Sequence, residues 1–336
     1  MAGKHLSKKE CLLQPELYPW ADRMAENDFV SQEPSYRSGE YLGLFSDEVW
    51  PSGEVTFGDI RYFVYDPVAH GMPADRKYPL LFALHGSGGS LVGKTAVNWA
   101  GAELFASPEY QEKTGGVYIV APLANEYRDS EGETVRSWMT PVPGKPFNGY
   151  EKNEIAGCPY PDDIKLLCGN DSVYTAALTA LVKAEAAAHP YIGKKIVAGA
   201  SAGGYGAWRL LISNPGLFDA GLIMAGAYMP SRRELETLRQ AGTRIWICHG
   251  KLDELCDYPL LIEPILPQLR NMPDVELYLP DFVRRADGGI ASNIGSGFQM
   301  GQHCINDIIQ ENLFFLDGRP MDPRHPGGVT AWIAGL

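Results

Sequence analysis

Along the chain, short continuous apolar runs alternate with stretches of helical period. Leu80-Leu81-Phe82-Ala83-Leu84, Val117-Tyr118-Ile119-Val120-Ala121, Ile196-Val197-Ala198, Leu222-Ile223-Met224-Ala225, Ile245-Trp246-Ile247-Cys248 and Val275-Glu276-Leu277-Tyr278 have the length of strands. Strands apolar at successive positions are covered on both faces, as in a parallel sheet. Asp171 to His189 reads as a helix, with Asp171 as N-cap, Val173, Ala177, Leu178, Leu181 and Val182 on one face, and Pro190 closing it. A second helix runs from Tyr205 to the stop at Asn214-Pro215. A third spans Ser231 to Gln240, where Ser-Arg-Arg-Glu predicts a capping box. The alternation predicts a single α/β domain: a mostly parallel central sheet with helices on both faces.

Outside that alternation the pattern changes. Val55, Phe57, a Gly58-Asp59 turn, then Ile60, Tyr62 and Val64 predict an antiparallel hairpin at a sheet edge. Residues 1–50 are polar and irregular, with scattered aromatics that predict an arm laid on the body or on a second subunit, hence a homo-oligomer. The main domain is expected over 51–317, with a cap or lid insertion at 123–168 and a Pro-rich tail at 318–336. The insertion and the Gly-rich stretch 280–302 are long for loops of a compact domain, and such loops are usually functional. Both leave the edge of the sheet where open α/β folds bind ligands.

Composition narrows the function classes. A net charge of −12 argues against nucleic-acid binding and against docking on anionic membranes. No run of about eighteen apolar residues predicts a membrane span. The first twenty residues lack the apolar core of a signal peptide, which predicts a cytoplasmic location with mostly reduced thiols. Among the six cysteines, Cys158 and Cys168 are the one pair placed to bridge a surface loop. No Cys-x-x-Cys or His-x-x-x-His spacing occurs, so neither a metal nor a cofactor is expected.

The chemistry centres on Gly199-Ala200-Ser201-Ala202-Gly203, which joins a predicted strand to a predicted helix. That is the pattern of a nucleophile elbow, in which the serine projects above the sheet edge. A serine hydroxyl attacks at neutral pH only if a base takes its proton. Of seven histidines, His303 follows the Gly-rich loop after the last strand and begins an apolar helical stretch, so it is the candidate base. An orienting carboxylate is expected after the strand ending at Cys248, where Asp253 leads and Glu254 and Asp257 compete. An oxyanion needs donors: the Ala202 N–H at a helix start and an N–H from the loop His85-Gly86-Ser87-Gly88-Gly89-Ser90. That loop lacks the Gly-Lys-Ser/Thr ending and the Gly-x-Gly-x-x-Gly spacing of nucleotide-binding loops.

Taken together, Leu84 to Gly89, Gly199 to Gly204, His249-Gly250 followed by Asp253, and Gly301-Gln302-His303 look like the α/β-hydrolase superfamily. Within it they resemble the esterase branch of feruloyl and acetyl xylan esterases, polyhydroxybutyrate depolymerases and esterase-D-like enzymes. The resemblance spans roughly residues 54–316. It implies Ser201 as nucleophile, His303 as base, Asp253 as acid, and the Ser87 and Ala202 N–H groups as the oxyanion hole. The expected activity is serine-dependent hydrolysis of a small carboxylic ester, aromatic or carboxylate-bearing, through an acyl-enzyme. His85, Gly86, Trp138, Tyr205, Arg284 and Arg285 are the candidate substrate contacts. Acyl transfer and peptide cleavage are the alternatives for the same triad. A non-catalytic binding protein of this fold is a further alternative, disfavoured by the presence of serine, acid and histidine together.

Overall fold

The computed structural model describes residues 8–16, 21–23, 39–54, 57–125, 127, 128, 132, 134, 135, 137–140, 142, 171–291 and 301–336. In chain order the strands are β1 (Ser46–Trp50), β2 (Ile60–Tyr65), β3 (Tyr78–Leu84), β4 (Tyr118–Pro122), β5 (Tyr127–Arg128), β6 (Thr134–Val135), β7 (Ile192–Ala200), β8 (Ala220–Met224), β9 (Arg244–Cys248) and β10 (Val275–Tyr278). The helices are α1 (Lys8–Leu12), α2 (Ala96–Trp99), α3 (Pro108–Thr114), α4 (Thr175–Ala188), α5 (Ala202–Ser213), α6 (Arg232–Gln240), α7 (Tyr258–Leu261), α8 (Leu266–Arg270), α9 (Ile305–Gln310) and α10 (Gly328–Ala334).

Eight strands form one sheet in the order β1-β2-β4-β3-β7-β8-β9-β10, and β5 pairs with β6 apart from it. β1 with β2 and β2 with β4 run antiparallel; every later pairing is parallel. Both faces are covered, which is why these strands read as unbroken apolar runs. Leu80, Phe82 and Leu84 of β3 and Val197 of β7 face one layer, with α4, α5 and α6. Leu81, Ala83, Ile196 and Ala198 face the other, with α2, α3, α9 and α10. Each fully buried large side chain in these layers contributes about 1.5–3 kcal/mol.

The register aligns the strands' carboxyl ends. Leu84 stands beside Gly199, Ala200 beside Met224, Met224 beside Cys248, and Cys248 beside Tyr278. From β3 the chain goes to one side, to β4, and the next strand of the large sheet, β7, lies on the other. The crevice where strand order reverses is where open α/β sheets bind ligands. Here it is flanked by the loop after β3 and the turn after β7.

Two local expectations are corrected and a third, the tail, is made definite. The hairpin pairs β1 with β2, so its first strand lies at 46–50; Val55, read as part of that strand, lies outside the described residues, and Phe57 packs into the core. β1 is an edge strand with Ser46, Asp47 and Glu48 exposed, so it carries no apolar alternation to read. The helix read from Asp171 starts at Thr175, because Asp171 and Ser172 spend their side chains on a preceding turn. The tail is part of the body: Val329, Trp332 and Ile333 of α10 are buried in the second layer. By contrast, the Ser231–Glu234 capping box forms with both of its hydrogen bonds.

Most of the 123–168 insertion, with Cys158 and Cys168, lies outside the described residues. Cys248, Cys256 and Cys304 are free thiols. Among the described residues no helix is long and apolar enough to cross a membrane.

The end of the N-terminal arm, at Gly39 and Tyr41, is tied to the body. The wholly buried Glu103 carboxylate accepts the backbone N–H groups of Gly39 (2.8 Å) and Tyr41 (3.1 Å) and the Asn98 amide (3.1 Å). Removing it in Glu103→Ala strands these donors at a cost of about 2 kcal/mol. Urea unfolding should show a correspondingly lower midpoint with an unchanged slope.

Candidate active site

Three short sequences place the chemistry, and main-chain packing explains each. In the turn after β7 a Cβ on Gly199 would overlap the Gly203 carbonyl. One on Gly203 would overlap the Leu84 carbonyl, and one on Gly204 would strike the Gly226 backbone. With no side chains between them, these segments touch main chain to main chain. Ser201 is held there at φ 58°, ψ −118°, a conformation unusual for a residue with a Cβ. Its N–H donates to the Met224 carbonyl, and its own carbonyl accepts from Tyr205 and Ala227. Ala202, fully buried, opens α5.

Asp253 follows β9 on a loop that wraps its carboxylate. Oδ1 accepts the N–H groups of Leu255 (2.9 Å) and Cys256 (2.7 Å), and the side chain is fully buried. His303 Nδ1 stands 2.8 Å from both carboxylate oxygens. Glu254, the competing acid, does something else: its carboxylate accepts the backbone N–H groups of Gln302 (3.0 Å) and His303 (2.8 Å). Burial pushes its carboxyl above the ordinary value, and the two amide bonds pull it back. Gln302, also buried, ties the same loop to Val283 and Ala291. A Cβ on Gly250 would strike the Gln302 carbonyl, so the loop bearing His303 seats directly on the turn after β9.

Ser201 and His303 line one cavity of about 330 Å³, with Gly86, Ser87 and Ala200 on the same side. Among the described residues no hydrogen bond joins the Ser201 hydroxyl to the imidazole; such bonds commonly tighten only in substrate complexes. The Ser201 side chain instead interacts with the Cys256 thiol, whose pKa burial drives well upward. Asn98, Trp99, Leu255, Cys304, Asn306 and Asp307 complete the described lining.

The candidate substrate contacts divide. Gly86 and Ser87 line the cavity, and an added Cβ on Gly86 would lie 3.5 Å from that of Ser201. His85, Trp138 and Tyr205 do not line it among the described residues; all three are buried. His85 accepts the Ala124 N–H at Nε2 (3.0 Å), and its carbonyl accepts from the Trp138 indole (3.0 Å). They hold the loop after β3. Tyr205 packs edge-on against Tyr228 in the core. Arg284 lines a different cavity, with Asp281 and Phe315, and bonds the Gly288 carbonyl. Arg285 lies beside Asp287 at 3.8 Å. The charged group that joins His303 in the described lining is the carboxylate of Asp307, the opposite sign to that expected from the arginines.

Sequence reasoning missed His249. It is wholly buried, with Nε2 2.7 Å from the Cys256 carbonyl and 3.5 Å from Asp253 Oδ2, bracing the Asp253 loop from within. Its position before Gly250 at a strand end was the available signal. Nothing in the spacing pointed to Cys256 or to Asn98, Trp99 and Asn306.

No family model matches the chain, and no curated protein matches it in sequence. Its structure is similar to that of a thermostable esterase: TM-score 0.56 and 19% identity, covering 81% of this chain and 61% of that one. This chain therefore spans less than two thirds of that esterase's length. Alignment with a ferulic acid esterase gives a TM-score of 0.43 and 15% identity over 70% of this chain and 90% of that one. With the BES protein from Bacillus cereus the values are 0.44 and 16% over 75% and 91%. The chain has the α/β-hydrolase fold.

Two outcomes follow. Gly203→Ala gains about 1 kcal/mol of helix propensity but drives a methyl into the Leu84 carbonyl, so a net loss of about 2 kcal/mol is expected in denaturant unfolding. Burial pushes His85 down to about 4, so the unfolded chain binds its proton first as pH falls. The contribution is complete above pH ~6.5 and is lost toward pH ~4, up to about 3 kcal/mol. Urea midpoints across that window should fall less in His85→Gln than in the parent.

Proposed function

We propose that this protein hydrolyses a small, uncharged carboxylic ester through an acyl-enzyme on Ser201. The observation that carries this reading is the His303–Asp253 pair at 2.8 Å, opening on the same cavity as a serine held at positive φ.

In this scheme His303 Nε2 takes the Ser201 proton as Oγ attacks the ester carbonyl. Asp253 accepts the His303 Nδ1–H, fixing the tautomer that leaves Nε2 free and stabilising the imidazolium that forms. The oxyanion is received by the N–H of Ala202, at the start of α5, and by that of Ser87. His303 then returns its proton to the leaving alcohol, and water, activated by the same imidazole, releases the acid. Glu254 holds the His303 backbone and takes no proton in this scheme.

Trp99 and Leu255 give the cavity apolar surface, and no cation joins them in the described lining; Asp307, pushed up to about 6 by burial, has Arg285 near enough to oppose that shift in part. This favours neutral esters over the carboxylate-bearing ones expected from Arg284 and Arg285.

Fluorophosphonate labelling tests the nucleophile: the parent should label once, at Ser201, and Ser201→Ala not at all. Labelling that persists in Ser201→Ala would overturn the reading. On p-nitrophenyl acetate, Asp253→Asn should lower kcat by about 10³–10⁴-fold. Glu254→Gln, which keeps an amide oxygen for the loop, should lower it far less. The reverse order would transfer the acid role to Glu254.

A further inference from the structure

One side chain beside the candidate triad has no task in that scheme. Cys256 is buried, three residues after Asp253, and its backbone N–H donates to Asp253 Oδ1. Its Sγ, a carboxylate oxygen of Asp253 and a ring nitrogen of His303 all lie within 4.8 Å of one another. The Ser201 side chain interacts with the same sulfur. Thiolate, imidazole and carboxylate form a donor set suited to zinc.

We infer that Asp253, Cys256 and His303 form a binding site for zinc or a similar divalent cation that, when filled, silences the enzyme. Ligand atoms around a tetrahedral zinc stand about 3.3–3.6 Å apart, given its usual bond lengths. The three groups reach that spacing with side-chain shifts of about 1 Å. The Ser201 hydroxyl, which interacts with the same sulfur, or a water would complete a fourth position. One thiolate and one carboxylate balance the two positive charges of the metal, which relieves the cost of holding it in a buried place. As the sulfur–zinc bond forms the thiol proton leaves to solvent, the imidazole binds in its neutral form, and no electron is transferred.

The inhibitory part rests on the hydrolase reading. A metal on Nε2 removes the lone pair that would accept the serine proton. One on Nδ1 displaces the Asp253 hydrogen bond instead. Either way the base is lost. The Cys-x-x-Cys and His-x-x-x-His spacings that usually betray zinc are absent because the ligands come from two loops, joined when the His303 loop seats on Gly250.

The test uses the 336-residue chain after chelator treatment, as parent and as Ser201→Ala. Zinc chloride is titrated against a chromophoric chelator, and cobalt chloride is followed by near-ultraviolet absorption. Both forms should bind one zinc per chain, and the cobalt form should show a thiolate-to-cobalt charge-transfer band. Cys256→Ala should lose that band and at least about tenfold in zinc affinity. Cys256→Ser replaces it, with the same expectation, if the alanine variant does not fold. Parent turnover of p-nitrophenyl acetate should fall with zinc and return with chelator, while turnover by the Cys256 variant persists at the silencing concentration. No zinc retained against the chelator, equal affinity in parent and Cys256 variant, or zinc-insensitive parent turnover each overturns the proposal. Zinc and the cobalt band without any ester turnover would support the site and overturn the hydrolase reading instead.

Discussion

Main chain against main chain, with no side chain between, is the constraint on which this molecule depends. Gly199, Gly203 and Gly204 bring the exit of β7, the first turn of α5, the end of β3 and the loop after β8 into direct contact. A contact between side chains can relax by changing rotamers; one between backbones cannot. The direction in which Ser201 points is therefore a property of the sheet and not of local preference. A residue at its φ and ψ is strained by about 1–3 kcal/mol. The Ser201 N–H donating to the Met224 carbonyl, the Tyr205 and Ala227 N–H groups donating to the Ser201 carbonyl, and the close packing around it hold it there.

The second contact of this kind, Gly250 against Gln302, fixes the other half of the cavity. Two adjacent carboxylates divide the work around it. Asp253 turns inward, saturated by two backbone N–H groups, and meets the imidazole. Glu254 turns along the chain and holds the backbone that carries the imidazole. His249 props the same loop from below. A change at Glu254 thus reaches His303 through position, while one at Asp253 reaches it through charge.

The sequence made most of the architecture legible because burial on both faces leaves an unmistakable mark: the six apolar runs all became strands of the parallel part of the sheet. β1 was not legible, since an exposed edge strand has no face to bury. The helix start at Asp171 was misread because a turn residue and an N-cap look alike until the following residues choose a conformation. Ser201, Asp253 and His303 could be picked out as candidates because each sits at a strand end or helix start with glycines beside it. Among the described residues His85, Trp138 and Tyr205 do not line the cavity, for one reason. Aromatic and basic residues near a site in sequence are equally suited to support it from below, and periodicity does not say which side of a loop they occupy. Cys256 had no signal, since its meaning comes only from two loops meeting.

The long reach of the buried polar contacts bears on how such a chain comes to be folded. The Glu103 backbone N–H donates to the Gln310 side chain across 207 residues, and β3 needs β7 beside it before either is covered. Neither α9 nor α10 can cover its face of the sheet until the segments after residue 304 have been made. A polypeptide emerging from the ribosome must therefore keep β3, β4 and α3 half-covered until then, exposing apolar surface while it waits. A cavity lined by residues as far apart as Gly86 and Asp307 closes only after contacts this distant in sequence have formed.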